Sequence, residues 1–513
     1  MILQDIPRRN ARRYPNKTAL VFENNRFTFK EFNDRVNSLI NALIDLGVNK
    51  GDRISIIADN CHQYVELAFV AAKSGMVINP IHPTLSARDL TYVIHNAGTN
   101  TIVFTKNYLN TINNICQELE SVKNLIVIGN SQDDMKSYED LVAEYPSEEP
   151  EPQVDENTLL LLPCSGGTTG FPKQIMHTHK SCFFIMLDML WEFLADKEDI
   201  CLVPVPIFWG LTVPYLLFPH VYMGCTVIVI KDFSPSNVLK TIEEEKISTT
   251  LFSSNFLSQL INCPDITKHD CSSLRRVAVT GAPLPAETWK QAIRIFGNVF
   301  VQTYGLTEVA PITSLPPESF VLEDSPEKTK TIHSCGKEAV DMEVRVVDEQ
   351  GNDVAPAEMG EVIVKSPAVM EGYWNAPEAT RETIKGGYLY TGDMATMDQE
   401  GYIYLVGRKK DVITSRGKTI SPSEIEDIIY RHPAVFEAAA IGLPDKELGE
   451  AVKAVIVLRP GEKADAEEII AICRKYLPDL AVPKSVDFVV SLPKSAVGKV
   501  LKYALRDKYT KGC

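Results

Sequence analysis

Along the first half of the chain, apolar positions alternate between two periods. Residues 29–46 repeat at helical spacing and stop at Gly47, a residue suited to ending a helix. Residues 52–57 then read as a short strand, residues 64–73 as a second helix ended by Gly75, and residues 101–104 as another strand. This alternation predicts an α/β fold with mostly parallel sheets covered by helices. Residues 145–157, with their prolines and acids, read as an exposed connection. Residues 159–162 form an apolar strand that enters a glycine-rich turn. Between about 335 and 405 the texture changes to short strands, residues 344–347 and 361–364, separated by Asp/Gly and Pro/Gly turns, which predicts a β-rich subdomain. The last hundred residues open on the basic turn Arg408-Lys409-Lys410 and continue as helix, strand, helix, strand.

One stretch reads differently. Residues 200–230 contain no Asp, Glu, Lys or Arg, long enough to suggest a membrane span. Pro204, Pro206, Pro214 and Pro219 interrupt it, and an interior proline costs a helix a hydrogen bond. The segment is expected to be a buried strand, loop and helix lining a core or pocket.

Composition narrows the class. A chain of 513 residues is expected to form two or more domains, and 45% hydrophobic with 23% charged residues is the usual balance of a globular protein. The formal net charge of −15 argues against nucleic acid as a partner. Eleven scattered cysteines without a CxxC pair, and no apolar leader near the N-terminus, point to reduced thiols and a cytoplasmic location. Cys164, beside the glycine-rich turn, has no His-bearing motif to activate it.

The candidate chemistry begins in that turn, Ser165-Gly166-Gly167-Thr168-Thr169-Gly170-Phe171-Pro172-Lys173. Three glycines let backbone amides approach an anion, and the hydroxyls of Ser165, Thr168 and Thr169 with the charge of Lys173 suit a polyphosphate. The spacing is neither a Walker A loop nor a dinucleotide fingerprint. By composition alone it could equally be a flexible Gly/Thr surface turn.

The whole string resembles the phosphate loop of the acyl-adenylate-forming superfamily, most of all its acyl-CoA synthetases, and further motifs follow in that family's order. The resemblance implies a large N-terminal domain over residues 1–407, a hinge at 408–410 and a small mobile α+β lid over 411–513. It implies ATP, Mg²⁺ and coenzyme A as reaction partners. In Gln302-Thr303-Tyr304-Gly305-Leu306-Thr307-Glu308, Gln302 would contact the adenine amino group, Tyr304 would stack on adenine, and Thr307 would contact the α-phosphate. Glu308, with Thr168, would hold Mg²⁺. Gly281-Ala282-Pro283 resembles the turn flanking adenine and the acyl group. Asp393, within Tyr390-Thr391-Gly392-Asp393, would bind both ribose hydroxyls with Arg408, and Lys410 would be the pivot. Lys499, within Pro493-Lys494-Ser495-Ala496-Val497-Gly498-Lys499, would be the catalytic cation of adenylation. The loop Arg416-Gly417-Lys418 would face coenzyme A in the second half-reaction.

The sequence departs from many relatives in one place. Where acyl-CoA synthetases carry a Phe-His pair, this chain reads Pro206-Ile207-Phe208-Trp209-Gly210, and no acid stands there to pair with an α-amino group. Phe208, Trp209, Leu211, Val309 and Ala310 are expected to line an apolar pocket for an aliphatic or aryl carboxylate. A carrier-protein phosphopantetheine as the acyl acceptor, a non-catalytic nucleotide-binding protein, a homodimer and peripheral membrane contact stay open at this stage.

Overall fold

The computed structural model describes residues 3–116, 118–129, 135–151, 154–164, 171–320, 331–494 and 500–510. Two large sheets form its body. One has nine strands, and its order across the sheet begins Lys337–Glu338, Val309–Leu315, Phe300–Leu306, Arg276–Thr280 and Thr249–Ser253. It continues through Ile200–Val203, Thr226–Val229, Thr18–Phe22 and Asn25–Thr28. Its interior pairs are parallel and both margins are antiparallel. The second sheet has eight strands, parallel from Leu159–Leu161 through Lys136–Ser137. Ile175–Thr178 and Gly372–Tyr373 extend it in antiparallel fashion. The parallel sheets predicted from the alternating pattern are thus present twice.

The local reasons are visible at individual elements. The helix Phe29–Asp45 begins at a capping box, with Thr28 accepting from Glu31 N–H and the Glu31 carboxylate accepting from Thr28 N–H. The helix His62–Ser74 ends at Gly75, whose φ of +76° a residue with a Cβ would adopt only under strain. The uncharged stretch folds as the strand Ile200–Val203, two short helical turns, the helix Phe218–Met223 and the strand Thr226–Val229. Among the described residues no helix is long and apolar enough to cross a membrane.

The connection around 145–151 is exposed, as its composition indicates, and it is tied to the helix Phe29–Asp45. Asn33, Asn37 and Asn41, spaced four apart on one helix face, bind Glu149, the Ser147 carbonyl and the Pro146 carbonyl, and Lys73 pairs with Glu149 at 2.6 Å. The last hundred residues hold more strand than the pattern indicated. Val435–Asp445 and Gly449–Leu458 form one long antiparallel pair, joined in a sheet by Ile413–Ser415, Lys418–Ile420 and Ser485–Phe488. Buried alanines at 438, 439 and 440 pack the strand Val435–Asp445 against helices, so that strand shows less Val/Ile density than its partner Gly449–Leu458. The β-rich part is a sheet of Glu343–Val347, Met359–Lys365, Tyr388–Met397, Ile384–Lys385 and Ile403–Arg408.

Candidate active site

A cleft of about 720 Å³ opens where the nine-stranded sheet, the β-rich sheet and the C-terminal segment meet. The strand Arg276–Thr280 delivers the turn Gly281-Ala282-Pro283 to its wall, and the strand Phe300–Leu306 delivers Gln302, Thr303, Tyr304 and Gly305. Gly305 has no room for a side chain, because a Cβ there would lie 2.7 Å from the Ala310 Cβ on the returning strand. From the β-rich sheet come Asp393 and Arg408, which face each other in register on antiparallel strands.

These residues form a connected polar chain. Tyr304 donates its hydroxyl to Asp393 Oδ2 at 2.7 Å, and Arg408 Nε lies 2.9 Å from Asp393 Oδ1. Arg408 also donates to the Thr391 carbonyl at 2.9 Å. Thr391 Oγ1 donates to the Val362 carbonyl at 2.7 Å and accepts from Asp393 N–H, which fixes the turn. Burial and the neighbouring Asp393 carboxylate push the Tyr304 phenol well above its ordinary pKa, so it stays a proton donor.

A second group stands where the strand Phe300–Leu306 turns into Val309–Leu315. Tyr373 donates to Glu308 Oε1 at 2.8 Å, and Lys173 Nζ lies 4.9 Å from the centre of the Tyr373 ring. The Thr307 carbonyl accepts from His177 Nε2 at 2.7 Å, and His177 Nδ1 meets Ser181 Oγ at 3.2 Å. Burial pushes His177 down to about 4, so it is neutral and serves as a fixed donor. His177 was not singled out from the sequence, and Tyr373 stood there only within the family-like run Glu371-Gly372-Tyr373-Trp374, with no partner named. Each lies far along the chain from its partner, and only the packing of one sheet against the other reveals it.

A magnesium ion fits at Glu308. Mg²⁺ usually keeps several waters and needs only one or two protein carboxylates besides substrate phosphates. Among the described residues no cluster of three His, Cys, Asp or Glu side chains could form a self-sufficient metal cage. Glu308 is a single partly exposed carboxylate already oriented by a phenol, as such a shared site requires.

Several expected site residues are not among those that line the cleft. Ser165, Gly166, Gly167, Thr168, Thr169, Gly170 and Lys499 fall outside the described residues. The segment carrying Lys499 is bracketed by Lys494 and Val500, which pair with each other and line the cleft. Lys494 is held by Glu437, and Lys502 by Glu426 at 2.7 Å. Lys410 is exposed, and its carbonyl accepts from Arg506 at 2.7 Å. Arg416, Gly417 and Lys418 are not brought to the cleft. They form the exposed tip of the hairpin Ile413–Ser415 and Lys418–Ile420, with positive φ at Arg416 and Gly417.

The residues expected to line the acyl pocket also lie off the cleft. Val309 and Ala310 are buried on the returning strand, and Phe208, Trp209 and Leu211 are half-buried. Asn60 pins this segment, donating to the Val205 carbonyl at 2.9 Å and accepting from Ile207 N–H at 2.8 Å. Gly210 lies against Pro163 at the root of the glycine-rich turn, where a Cβ would come within 2.3 Å of the Pro163 Cβ. The imidazole absent from position 209 has a neighbour from another segment. His82 sits edge-on to Phe208, with ring centres 4.4 Å apart. Cys164 is half-buried, and desolvation pushes its thiol up to about 12, which keeps it protonated at neutral pH. The ten cysteines among the described residues are all free thiols.

Two α/β sheets, a β-rich sheet, and a C-terminal segment closing over a tyrosine–aspartate–arginine chain define the class of nucleotide-dependent acid-activating enzymes. Comparison with known proteins agrees. The AMP-binding enzyme family matches residues 7–374, and the AMP-binding enzyme C-terminal domain matches residues 424–499. The chain belongs to the AMP-binding enzyme family. A feruloyl-CoA synthase from an Amycolatopsis species is 32% identical over 98% of each chain. A medium/long-chain fatty-acid–CoA ligase from Mycobacterium tuberculosis is 31% identical over 98% of this chain and 89% of its own. The crystal structure of an anthranilate CoA ligase in complex with anthranoyl-AMP superposes with a TM-score of 0.91 at 28% identity, covering 99% of this chain and 97% of that one. The protein is an AMP-forming carboxylate–CoA ligase, using ATP, Mg²⁺ and coenzyme A.

Proposed function

We propose that the cleft binds ATP with its ribose on Asp393 and Arg408 and its adenine between Tyr304 and the turn Gly281-Ala282-Pro283, with Gln302 reaching the amino group. The polar chain from Tyr304 through Asp393 to Arg408 carries this reading. It is a carboxylate held between a donor phenol and a guanidinium, with Arg408 half-exposed and able to turn towards a ligand. A carboxylate suits a pair of ribose hydroxyls because it accepts two hydrogen bonds at once.

Adenylation then proceeds as follows. An oxygen of the acid attacks the α-phosphorus, the bond to pyrophosphate breaks, and negative charge grows on the phosphoryl oxygens. Lys499, Thr168 and the phosphate-loop amides of residues 165–170 would meet that charge, and Lys173 adds a cation nearby. Glu308 and Thr168 would hold Mg²⁺, which when bound would supply charge neutralisation at the phosphates. His177 and Tyr373 would position Thr307 and Glu308 through their hydrogen bonds.

In the second step the coenzyme A thiol loses its proton and its sulfur attacks the acyl carbon. The C–O bond to AMP breaks. We assign Arg416, Gly417 and Lys418 to this step, with Lys410 as the pivot that brings them in. Their place at a hairpin tip remote from the cleft supports a rotation of the C-terminal segment between steps.

The acid itself is assigned to the neighbourhood of Phe208, Trp209, Leu211, Val309 and Ala310, and an aryl or aliphatic carboxylate fits those side chains. The test is ATP-dependent AMP release over a panel of acids from acetate to palmitate, with benzoates, cinnamates and amino acids, each with and without coenzyme A. Release that needs one group of acids and coenzyme A supports the reading. Pyrophosphate exchange without coenzyme A-dependent turnover would move the acceptor to a carrier-protein thiol.

A further inference from the structure

We propose that Gln174 is a positioning residue for adenylation, whose buried amide sets the phosphate loop against the acyl side and the Mg²⁺ side of the site. This rests on the adenylation reading and names the device that aims that loop.

The observation starts one residue past Lys173. Lys173 is exposed, whereas Gln174 is only 1% exposed, and glutamine is a residue type that mostly stays in water. Its backbone is held on two sides. It pairs with Cys164 in an antiparallel bridge across the two ends of the phosphate loop, and its carbonyl accepts from Trp374 N–H at 2.8 Å. Its side chain turns inward. Nε2 donates to Asn79 Oδ1 at 2.9 Å, and Oε1 accepts from Asn96 Nδ2 at 2.7 Å. Asn79 continues the chain by donating Nδ2 to Ser55 Oγ at 2.8 Å, and Ser55 Oγ meets Thr99 Oγ1 at 2.7 Å.

Asn79, Ser55 and Thr99 are fully buried, and Asn96 is half-buried. The amides donate head to tail, from Asn96 to Gln174 to Asn79 to Ser55, so each bond polarises the next. A buried network with its members partnered rigidifies its surroundings and admits one arrangement of the elements it joins.

Those elements are the ones that frame the site. Asn79 stands in the strand Val77–Pro80, which leads within two residues to His82 and its contact with Phe208 on the acyl side. Asn96 lies in the last turn of the helix Ala87–Ala97, whose Tyr92 stacks on Phe171 at the end of the glycine-rich run, with ring centres 4.1 Å apart. The Asn96 carbonyl accepts from Trp374 Nε1 at 2.9 Å, and Trp374 directly follows Tyr373, the phenol that orients Glu308. Gln174 thus ties the exit of the phosphate loop to three segments distant in the chain. Adenylation needs the triphosphate held while the carboxylate attacks. Acyl transfer from a finished acyl-AMP has no β- or γ-phosphate left to hold. A device that aims the loop therefore acts on the first half-reaction, where a misplacement of about 1 Å costs on the order of 100-fold.

The test measures the two half-reactions separately in the full chain: acid-dependent ATP–pyrophosphate exchange with an accepted acid, and acyl transfer to coenzyme A from supplied acyl-AMP. Gln174→Leu fills most of the same space and cannot join the chain of amides. We expect it to lower kcat/KM for ATP in the exchange by about 10- to 100-fold and to leave acyl transfer within about threefold. Asn96→Asp, at a half-buried residue, removes the donor to Gln174 and should lower the exchange severalfold with the same selectivity. Gln174→Leu leaves Asn79 and Asn96 short of a partner, which costs stability, so a thermal melt accompanies it. If that variant does not fold, Asn96→Asp decides alone. A purely structural role would lower both half-reactions by the same factor, and that result overturns the inference, as does exchange at the wild-type rate in the variants. Either result leaves the adenylation reading standing, whereas no exchange by the wild-type enzyme with any acid overturns that reading and this inference with it.

Discussion

Asp393 and Arg408 face each other across two antiparallel strands, and Arg408 Nε lies 2.9 Å from Asp393 Oδ1. The ladder sets their separation, so the pair is preorganised before any nucleotide arrives. The other Asp393 oxygen holds Tyr304. Replacing Asp393 by Asn keeps the shape and removes the charge. Hydrogen bonds to a charged group contribute about 1.5–3 kcal/mol, so the KM for ATP is expected to rise roughly 10- to 100-fold in Asp393→Asn. The KM for the acid should stay within about threefold. Steady-state kinetics with each substrate varied separately checks this, and an unchanged KM for ATP would contradict the ribose assignment.

Lys499 separates the two half-reactions. Lys499→Ala is expected to lower acid-dependent pyrophosphate exchange by about 100-fold or more, the usual loss when a group stabilising transition-state charge is removed. Acyl transfer to coenzyme A from supplied acyl-AMP should largely survive. Exchange at the normal rate in that variant would show the assignment to be wrong.

Glu308 and Tyr373 act as a unit, one binding and one orienting. Glu308→Gln should weaken the response of adenylation to Mg²⁺ concentration. Tyr373→Phe should shift the same titration in the same direction but less, since it loosens the carboxylate without removing it. A Tyr373→Phe variant more severely impaired than Glu308→Gln would mean that the phenol contacts substrate itself.

His179 gives a stability prediction with a definite sign. It is buried, neither ring nitrogen has a partner among the described residues, and burial pushes it down to about 4. An unfolded histidine titrates near 6.5, so between pH 6.5 and 4 the unfolded chain binds the extra proton and stability falls as pH falls. The contribution is fully present above 6.5. Relative to wild type, His179→Leu should gain stability by ~2 kcal/mol on moving from pH 7 to pH 5, at 1.36 kcal/mol per pKa unit over the 1.5 units crossed. Denaturant melts at both pH values measure it. A difference between the two proteins that does not change with pH would mean that His179 ionises normally in the folded state.

Much of the lining of the cleft proposed to take the nucleotide was legible in the sequence, because it is made of short contiguous strings on strand ends. The turn Gly281-Ala282-Pro283 and the run from Gln302 to Gly305 do line one cleft, with Asp393 and Arg408 opposite. What was not legible depends on distant partners. His177 meets Thr307 across 130 residues and Tyr373 meets Glu308 across 65, and no local pattern marks either pair. The C-terminal strands were undercounted, in part because the alanines of Val435–Asp445 reflect close packing and not strand propensity.

The acyl-adenylate is the centre of this account, and oxygen tracing tests it most directly. An accepted acid labelled with ¹⁸O in both carboxylate oxygens is converted to its coenzyme A thioester in unlabelled water. Attack by the carboxylate on the α-phosphorus, followed by loss of AMP from the acyl carbon, predicts one ¹⁸O atom in the phosphate of AMP. Label in inorganic phosphate, or AMP without label, would contradict it.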